Sequence, residues 1–315
     1  MSTLRSNIAG YPGFISTQYA NNTRLTGIPN NFFPNRPPLS ALSQQGSTSF
    51  VVPTLDVKAA RLPYSQQYTI GFSREVAKDL GVSVDYLYLY GIHFPMMRNV
   101  NARLSPTGGF PLIASGTTMN VYDGSDILQV HNVQFRVEKR MSNKLAFLGS
   151  YVWGRGYSYG GGGLSSSATP SNNYNLKQDW GPIDNDVRHR VTANALYELP
   201  LHIQLGGFLQ FNSAPPYNII TGLDDNRDNV VNDRPAGTQY NAGRADSFFN
   251  VDTRISKKFV IREKANAELM WEMFNLFNTV NYFSNYIGNM RSLTFGKPTG
   301  AFDPFQGQIG LRFTF

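Results

Sequence analysis

The sequence contains no cysteine, so its 315 residues can form no disulfide, no thiolate metal site and no thiol nucleophile. Charged residues are also scarce, at 16% of the chain against about a quarter in an average soluble domain. No apolar run reaches the roughly 18 residues that a membrane-spanning helix needs. These absences exclude cysteine chemistry and a helical membrane anchor.

Patterns typical of enzymes and of nucleic-acid-binding proteins are missing as well. The formal net charge of +7 comes from Lys and Arg residues scattered singly, with no basic run, so we expect no nucleic-acid partner. The sequence has four histidines without metal-ligand spacing, and it has no HExxH or GxSxG motif. The glycine-rich stretch 159–167 lacks the Gly-Lys-Ser/Thr ending of a phosphate-binding loop. We therefore predict that the chain is not an enzyme and needs no organic cofactor.

Aromatic residues are abundant, at 13% of the chain, and they recur in stretches where apolar and polar residues alternate. The clearest stretch, residues 82–94, is longer than an ordinary strand and long enough to cross a bilayer, which takes about 9–11 tilted residues. Alternation of this kind predicts β-strands with one apolar face. We predict nine such strands, over residues 66–78, 82–94, 127–140, 145–157, 187–198, 203–213, 249–260, 265–277 and 306–315.

The predicted strands are joined alternately by turns of about two to five residues and by long loops. The long connections cover residues 95–126, 158–185, 214–247 and 278–305. Short turns at one end and long loops at the other are typical of outer-membrane barrels. The sequence thus predicts an all-β antiparallel up-and-down meander of nine or ten long strands that is part of a transmembrane β-barrel. The alternative is a soluble sandwich or barrel with one wet face.

Residues 1–63 differ from the rest because they are rich in Asn, Pro, Ser and Gly. We expect this segment to be an extracellular loop with at most one strand, around residues 48–57, and residues 64–315 to be the partial barrel. Nine strands leave two unpaired edges, which are costly in lipid. Either residues 48–57 supply a tenth strand and close a small barrel, or further strands lie upstream; we favour the second alternative.

The strand face opposite the aromatic one carries polar and charged residues, which line the interior of a membrane barrel. Glu268 and Glu272 lie four residues apart on one strand, about 13 Å, which is too far for a glycosidase pair and suits ion pairs with Lys or Arg. The residues that we predict to line the lumen are Arg188, Arg190, Arg254, Glu268 and Glu272.

One long loop contains DDNRDNVVND, residues 224–233, whose oxygens are spaced as in a calcium loop. The candidate ligands are Asp224, Asn226, Asp228, the Val230 carbonyl and Asp233. Asn229 stands where such loops have glycine, and Pro235 stands where they have a bidentate Glu. The alternative interpretation is an Asx-rich solvated turn.

Two aromatic residues of the second long loop, Tyr174 and Trp180, are candidate ligand contacts, because exposed rings stack on sugars or on aromatic ligands.

Several stretches together resemble the C-terminal barrel of TonB-dependent receptors, in particular the Oar-like group: residues 63–76, residues 185–200, FNLFN at 274–278 and the terminal GQIGLRFTF. Such receptors have a 22-stranded outer-membrane barrel, an N-terminal plug and a motif that engages TonB, and they import scarce or large substrates. The resemblance covers the chain from about residue 63 onward. Since we find no signal peptide, plug or TonB motif, we expect the C-terminal portion of such a receptor.

The resemblance also implies partners and a location. The chain is expected in the bacterial outer membrane, in contact with its lipid and lipopolysaccharide, and dependent on TonB only through a region outside this sequence. In bacterial outer-membrane proteins a last strand ending in Phe resembles the signal read by the barrel-assembly machinery, here Ile309, Leu311, Phe313 and Phe315.

The expected function is a share in binding and importing a substrate of the siderophore, glycan or peptide class. The alternatives are a structural or adhesive outer-membrane barrel and a small passive porin.

Overall fold

The computed structural model describes residues 61–111, 120–160, 169–262 and 265–315, and three two-residue strand segments before them. The described residues form an all-β protein whose helices are two short 3-10 turns, Leu176–Asp179 and Pro200–His202. None of the helices in these ranges is long and apolar enough to cross a membrane. The nine long strands are β1 Tyr64–Ala77, β2 Leu80–Asn99, β3 Asn120–Ser142, β4 Leu145–Ser158, β5 His189–Leu199, β6 Ile203–Asn212, β7 Phe248–Arg262, β8 Ala265–Phe274 and β9 Gln306–Thr314.

The nine strands pair in chain order, each antiparallel to the next, from β1 at one edge to β9 at the other. This confirms the predicted antiparallel meander. The predicted strand bounds differ from the observed ones mainly at β2 and β3, which continue five and seven residues further toward the loops. β2 and β3 remain paired in this region, with two register shifts, between Ile92 and Phe94 and between Phe94 and Met96. The first long loop is correspondingly shorter than predicted.

Tight turns close the hairpins at one end of the sheet. Asp79 ends the first turn at φ 62°, and Asn143 and Lys144 form the second at φ 51° and 65°. Two consecutive residues with positive φ match the twist of an antiparallel hairpin, and Asn tolerates this conformation well. At the other end, β8 stops at Phe274, three residues before the predicted end, because Asn275 has φ 50° and donates its backbone N–H to the Asp252 carboxylate.

The distribution of polarity is the reverse of that in a soluble protein. Among the described residues the buried ones are mostly polar or charged, fifteen against five apolar ones, while large apolar residues cover the outer face of the sheet. On β9, Ile309 is 76% exposed and Phe315, just after the strand, is 100% exposed. Leu311 and Phe313 are exposed on the same face. An apolar face of this size has to be covered by lipid or by a partner.

Both edges of the meander are open. No strand of the described ranges pairs with the outer side of β1 or of β9, so the sheet does not close on itself. Most of the predicted loop segment 1–63 lies outside the described residues. Of its strand pieces, Phe50–Val51 pairs with Thr17–Gln18, and Thr54–Leu55 runs parallel to Val121 and Tyr122 of β3. Neither piece extends an edge of the meander.

Candidate functional site: the polar loop layer

The four long connections gather at one end of the sheet. We call them loop A (100–119), loop B (159–188), loop C (213–247) and loop D (275–305), and together the loop layer. Residues 112–119 and 161–168 lie outside the described ranges. The remaining parts of the loops contact one another through polar side chains and backbone hydrogen bonds.

Loop B contacts loop A and the projecting ends of β2 and β3. Asn173 accepts the backbone N–H of Asn99 at 2.7 Å through its side-chain oxygen. Arg98 forms an ion pair with Asp123 and also donates to the carbonyl of Asn173. The hydroxyl of Tyr174 donates to the carbonyl oxygen of Ala102 at 2.7 Å. The structure therefore uses Tyr174, predicted as a ligand contact, in a contact between loops.

A buried ion pair between Asp179 and Arg234 joins loop B to loop C. The Asp179 side chain is 1% exposed and the Arg234 side chain 6% exposed. Ser171 completes the cluster, because its backbone N–H and its hydroxyl donate to the two oxygens of Asp179 at 2.9 and 2.8 Å. Burial lowers the pKa of Arg234 to about 10, so the guanidinium stays charged at neutral pH. The carboxylate partner offsets the cost of burying that charge.

Loops B and C also meet at a second place, nearer the sheet. Asp186 accepts from Arg244 at 2.6 Å, and Asn241 donates to Asp184 at 2.8 Å. The backbones approach so closely that a Cβ on Gly181 would collide with the carbonyl of Tyr240. A residue without a side chain is therefore required at position 181.

Loop D is attached to loop C by backbone pairing. Ile220 donates to the carbonyl of Gly288 at 2.9 Å and accepts from Met290 at 3.0 Å. The rings of Tyr217 and Tyr286 stack with centroids 5.4 Å apart. All four loops are thus connected into one layer.

The acidic stretch of loop C is folded around its own backbone. The carboxylate oxygens of Asp224 accept the N–H groups of Asp228 and Asn229, each at 2.9 Å. Asp228 accepts the N–H of Val230 at 2.9 Å, and Asp233 accepts that of Asp225 at 2.7 Å. The side-chain oxygens that we predicted as calcium ligands are therefore engaged by backbone donors.

The pKa values of the two innermost carboxyl groups of this stretch are raised, and burial contributes more to the rise than neighbouring charges do. Burial raises the pKa of Asp228 to about 6, helped by the negative charges of Asp224 and Asp233. Burial likewise raises the pKa of Asp233 above its usual range. Asn173 of loop B donates to Asp228 at 3.0 Å, which ties the acidic stretch to the rest of the layer. A cation would relieve the mutual repulsion of these groups.

Within the described ranges no three acidic or histidine side chains converge as a metal site would require. Calcium binding at residues 224–233 therefore stays a prediction, and it would need the ion to compete with the backbone donors.

Four of the five charged residues predicted for the lumen, Arg190, Arg254, Glu268 and Glu272, lie on one face of the sheet by register, and Arg188 lies in loop B just before β5. Arg254 on β7 lies between two carboxylates of β8, 3.3 Å from Glu268 and 3.7 Å from Glu272. Glu268 also lies 3.7 Å from Arg312 on β9. Arg188 and Arg190 lie near the entry to β5, where Arg188 is 3.7 Å from Asp186 and Arg190 donates to the carbonyl of Asn185.

Sequence reasoning did not identify the residues that connect the loops. Asp179, Arg234, Ser171 and Asn173 are single polar residues in aperiodic segments, and no spacing marks them as partners. Of the two predicted aromatic contacts, Tyr174 is the more exposed, whereas Trp180 is half-buried, stacks on Tyr157 and lines a pocket between loops B and C.

A transmembrane-type sheet with an apolar outer face, a polar inner face and one layer of long loops defines an outer-membrane β-barrel domain. The family model described as outer membrane beta barrel domain matches residues 2–239 and 234–308. The chain belongs to this family and locates to the bacterial outer membrane. No curated protein matches it.

Solved structures with the same fold are outer-membrane transporters and receptors. The outer-membrane transporter YddB from Escherichia coli is 12% identical with a TM-score of 0.56, over 85% of this chain and 35% of that one. The ferripyoverdine receptor of the outer membrane of Pseudomonas aeruginosa, bound to ferripyoverdine, is 13% identical with a TM-score of 0.51, over 80% of this chain and 27% of that one. The chain spans about a third of their length. At this identity the likeness shows the fold.

We predict that Arg234→Met strongly destabilises the contact between loops B and C. The substitution leaves the Asp179 carboxylate buried without its counter-ion, which costs about 3–5 kcal/mol. Hydrogen exchange at the amides of Ser171 and Trp180 measures this as a lower free energy of opening. The double variant Asp179→Asn, Arg234→Met is expected to recover part of the loss.

The matched control for this prediction is the exposed pair of Arg136 and Glu138, whose side chains are 47% and 48% exposed. Arg136→Met is expected to change stability by less than about 1 kcal/mol. Equal effects of the two arginine substitutions would contradict a stabilising role for the buried pair.

For calcium, we expect a heat of binding in titration calorimetry with a Kd of about 10⁻⁴–10⁻³ M, as in extracellular calcium modules. The Asp224→Ala, Asp228→Ala variant should lose this heat, because two of the oxygen ligands are removed. Asp225→Ala, between the ligand positions, is the control and should keep it. Identical heats from the wild type and the double variant would show that residues 224–233 do not bind calcium.

Proposed function

We propose that this chain is the C-terminal barrel part of a TonB-dependent outer-membrane receptor that binds and imports a scarce or large substrate. The long loops face the outside and capture the substrate, and the tight turns face the periplasm. The substrate belongs to the siderophore, glycan or peptide class. The chain works as part of a larger barrel and does not transport alone.

The observation that carries this proposal is the pair of open edges on β1 and β9. An unpaired edge in lipid leaves a row of backbone N–H and C=O groups without partners, each at a cost of several kcal/mol. Further strands are needed to cover both edges. The solved transporter and receptor with this fold, which are about two and a half to three times as long, support the presence of such strands in the complete protein.

The loop layer supports substrate capture by this end of the sheet. Long loops in compact proteins are usually functional, and here they are held together by buried charge pairs. A fixed outer layer offers a preformed binding surface. The charged inner face, with Arg254 between Glu268 and Glu272, suits a polar lumen.

The remaining partners follow from the same proposal. Lipid and lipopolysaccharide cover the outer face, the barrel-assembly machinery recognises the last strand, and TonB acts through a region beyond this chain. We propose no enzymatic activity, since the polar clusters of the described residues serve loop packing and ion pairing.

Uptake measured in paired strains tests the receptor function. Cells producing the complete protein are offered labelled siderophores, glycans and peptides, with and without a functional TonB. We expect binding in both strains and accumulation only where TonB is present, because passage requires energy from the inner membrane. Accumulation without TonB would indicate a passive pore, and binding that never leads to accumulation would indicate an adhesive barrel; either result contradicts the proposal.

The role of the last strand as an assembly signal predicts that Phe315→Ala lowers the amount of folded chain in the outer membrane several-fold. The substitution removes a terminal ring that is fully exposed and makes no packing contribution. Phe259→Ala, on the same outer face of β7, is the control and should leave the amount nearly unchanged. Fractionation and immunoblotting measure the amount of each variant in the outer membrane. Equal amounts of the two variants would argue against a signal at Phe315.

A further inference from the structure

A pocket of about 350 Å³ lies between loops B and C. One wall is the 3-10 turn Leu176–Asp179 with the following Trp180, and the other is the segment 233–239. Its volume is at the small end of the range for ligand sites, about 300–1,000 Å³. The pocket therefore suits one compact ring group rather than a large chelate.

The walls of this pocket are fixed before any ligand arrives. Asp179 and Arg234 join the two walls through their buried ion pair, and Ser171 donates to Asp179. Trp180 stacks on Tyr157 with centroids 5.9 Å apart and meets Tyr159 edge-on at 5.0 Å. Because these side chains are already ordered, binding costs little conformational entropy.

Of the two cations that line the pocket, Lys177 is the one with no ion-pair partner among the described residues. The guanidinium of Arg234 is neutralised by Asp179, and the carboxylate of Asp233 accepts two backbone N–H groups. Lys177 is exposed at the rim and has no carboxylate within 4 Å in the described part of the chain. A ligand with a single negative charge would complement it.

The neutral groups of the pocket favour a ring that carries hydroxyl groups. Trp180 supplies an aromatic surface on which an apolar ring face can stack. Gln178, Gln239 and Thr238 offer both hydrogen-bond donors and acceptors around it. A phosphate would be better matched by several cations or by converging backbone N–H groups, and a neutral aromatic compound would not use the amides or the lysine.

We propose that this pocket binds an acidic sugar, a pyranose ring that carries one carboxylate, with Trp180 as the stacking platform and Lys177 as the partner of the carboxylate. The inference rests on the receptor function proposed above and names the glycan class as its substrate. Loops B and C then form the recognition site for the charged end of a glycan.

Fluorescence of a single tryptophan tests this site. The chain has three tryptophans, so Trp153→Phe, Trp271→Phe leaves Trp180 as the only one. The complete protein, purified in detergent and with any tryptophan outside this chain also replaced by phenylalanine, is titrated with a galacturonate disaccharide and with its neutral methyl ester. We expect the fluorescence of Trp180 to change saturably with the acid. The ester should bind at least about 10-fold more weakly, because it cannot form the charge-assisted hydrogen bond.

Variants of the lysine separate charge from structure. Lys177→Gln should weaken binding of the acid about 10-fold and leave the ester unaffected, and Lys177→Arg should retain most of the affinity. Lys297→Gln, on exposed loop D, is the matched control and should change neither. Trp180→Phe should weaken the binding of both ligands while preserving an aromatic ring in the fold. Because this variant lacks the fluorescent reporter, its binding is measured by titration calorimetry.

Several outcomes would overturn the inference. Equal binding of acid and ester, or an unchanged affinity in Lys177→Gln, refutes the carboxylate contact. No response of Trp180 to either sugar refutes the site, and tighter binding of benzoate than of galacturonate refutes the sugar class. Binding is measured here without energy input, so these results are independent of whether TonB drives uptake.

Discussion

The structure depends on one constraint: a backbone amide placed in lipid must be hydrogen-bonded within the protein. The nine strands meet it through continuous antiparallel ladders, in which each strand pairs with its sequence neighbour. Among the strands of the described residues, only β1 and β9 have an outer side whose backbone groups lack a neighbouring strand. The same constraint explains why the connections at the loop end, which would otherwise expose their polar backbone groups, lie beyond the hydrocarbon region.

This constraint also reverses the usual arrangement of polar and apolar residues. Since the apolar side chains face lipid, few are available to form a core, and the buried residues of the loop layer are mostly Asp, Asn and Ser, together with the buried side chain of Arg234. Stability in this layer has to come from paired charges and satisfied hydrogen bonds. Such networks are costly to disturb, because removal of one member leaves another buried without a partner. The layer is consequently stiff and specific in shape.

The sequence predicts the sheet well because a period of two survives in every strand, and tight turns between strands are marked by residues such as Asp79 and Asn143. It fails at the outer ends of β2 and β3, where Pro95 and a positive φ at His93 interrupt the alternation although pairing continues. It also fails for Asp179 and Arg234. Their contact depends on how two aperiodic loops fold back on each other, and no local pattern encodes that.

The buried pair of Asp179 and Arg234 has a consequence for recognition. A free arginine in the pocket would bind any anion, phosphate included, with little selectivity for the rest of the ligand. Because Asp179 occupies that guanidinium, Lys177 at the rim is the cation that remains to attract charge among the described residues of the pocket, and one such contact accounts for about a 10-fold gain in affinity. Affinity must then come mainly from the ring stacked on Trp180 and from the surrounding amides. The pair that holds loops B and C together thus also makes the pocket depend on the shape of the ligand more than on its charge.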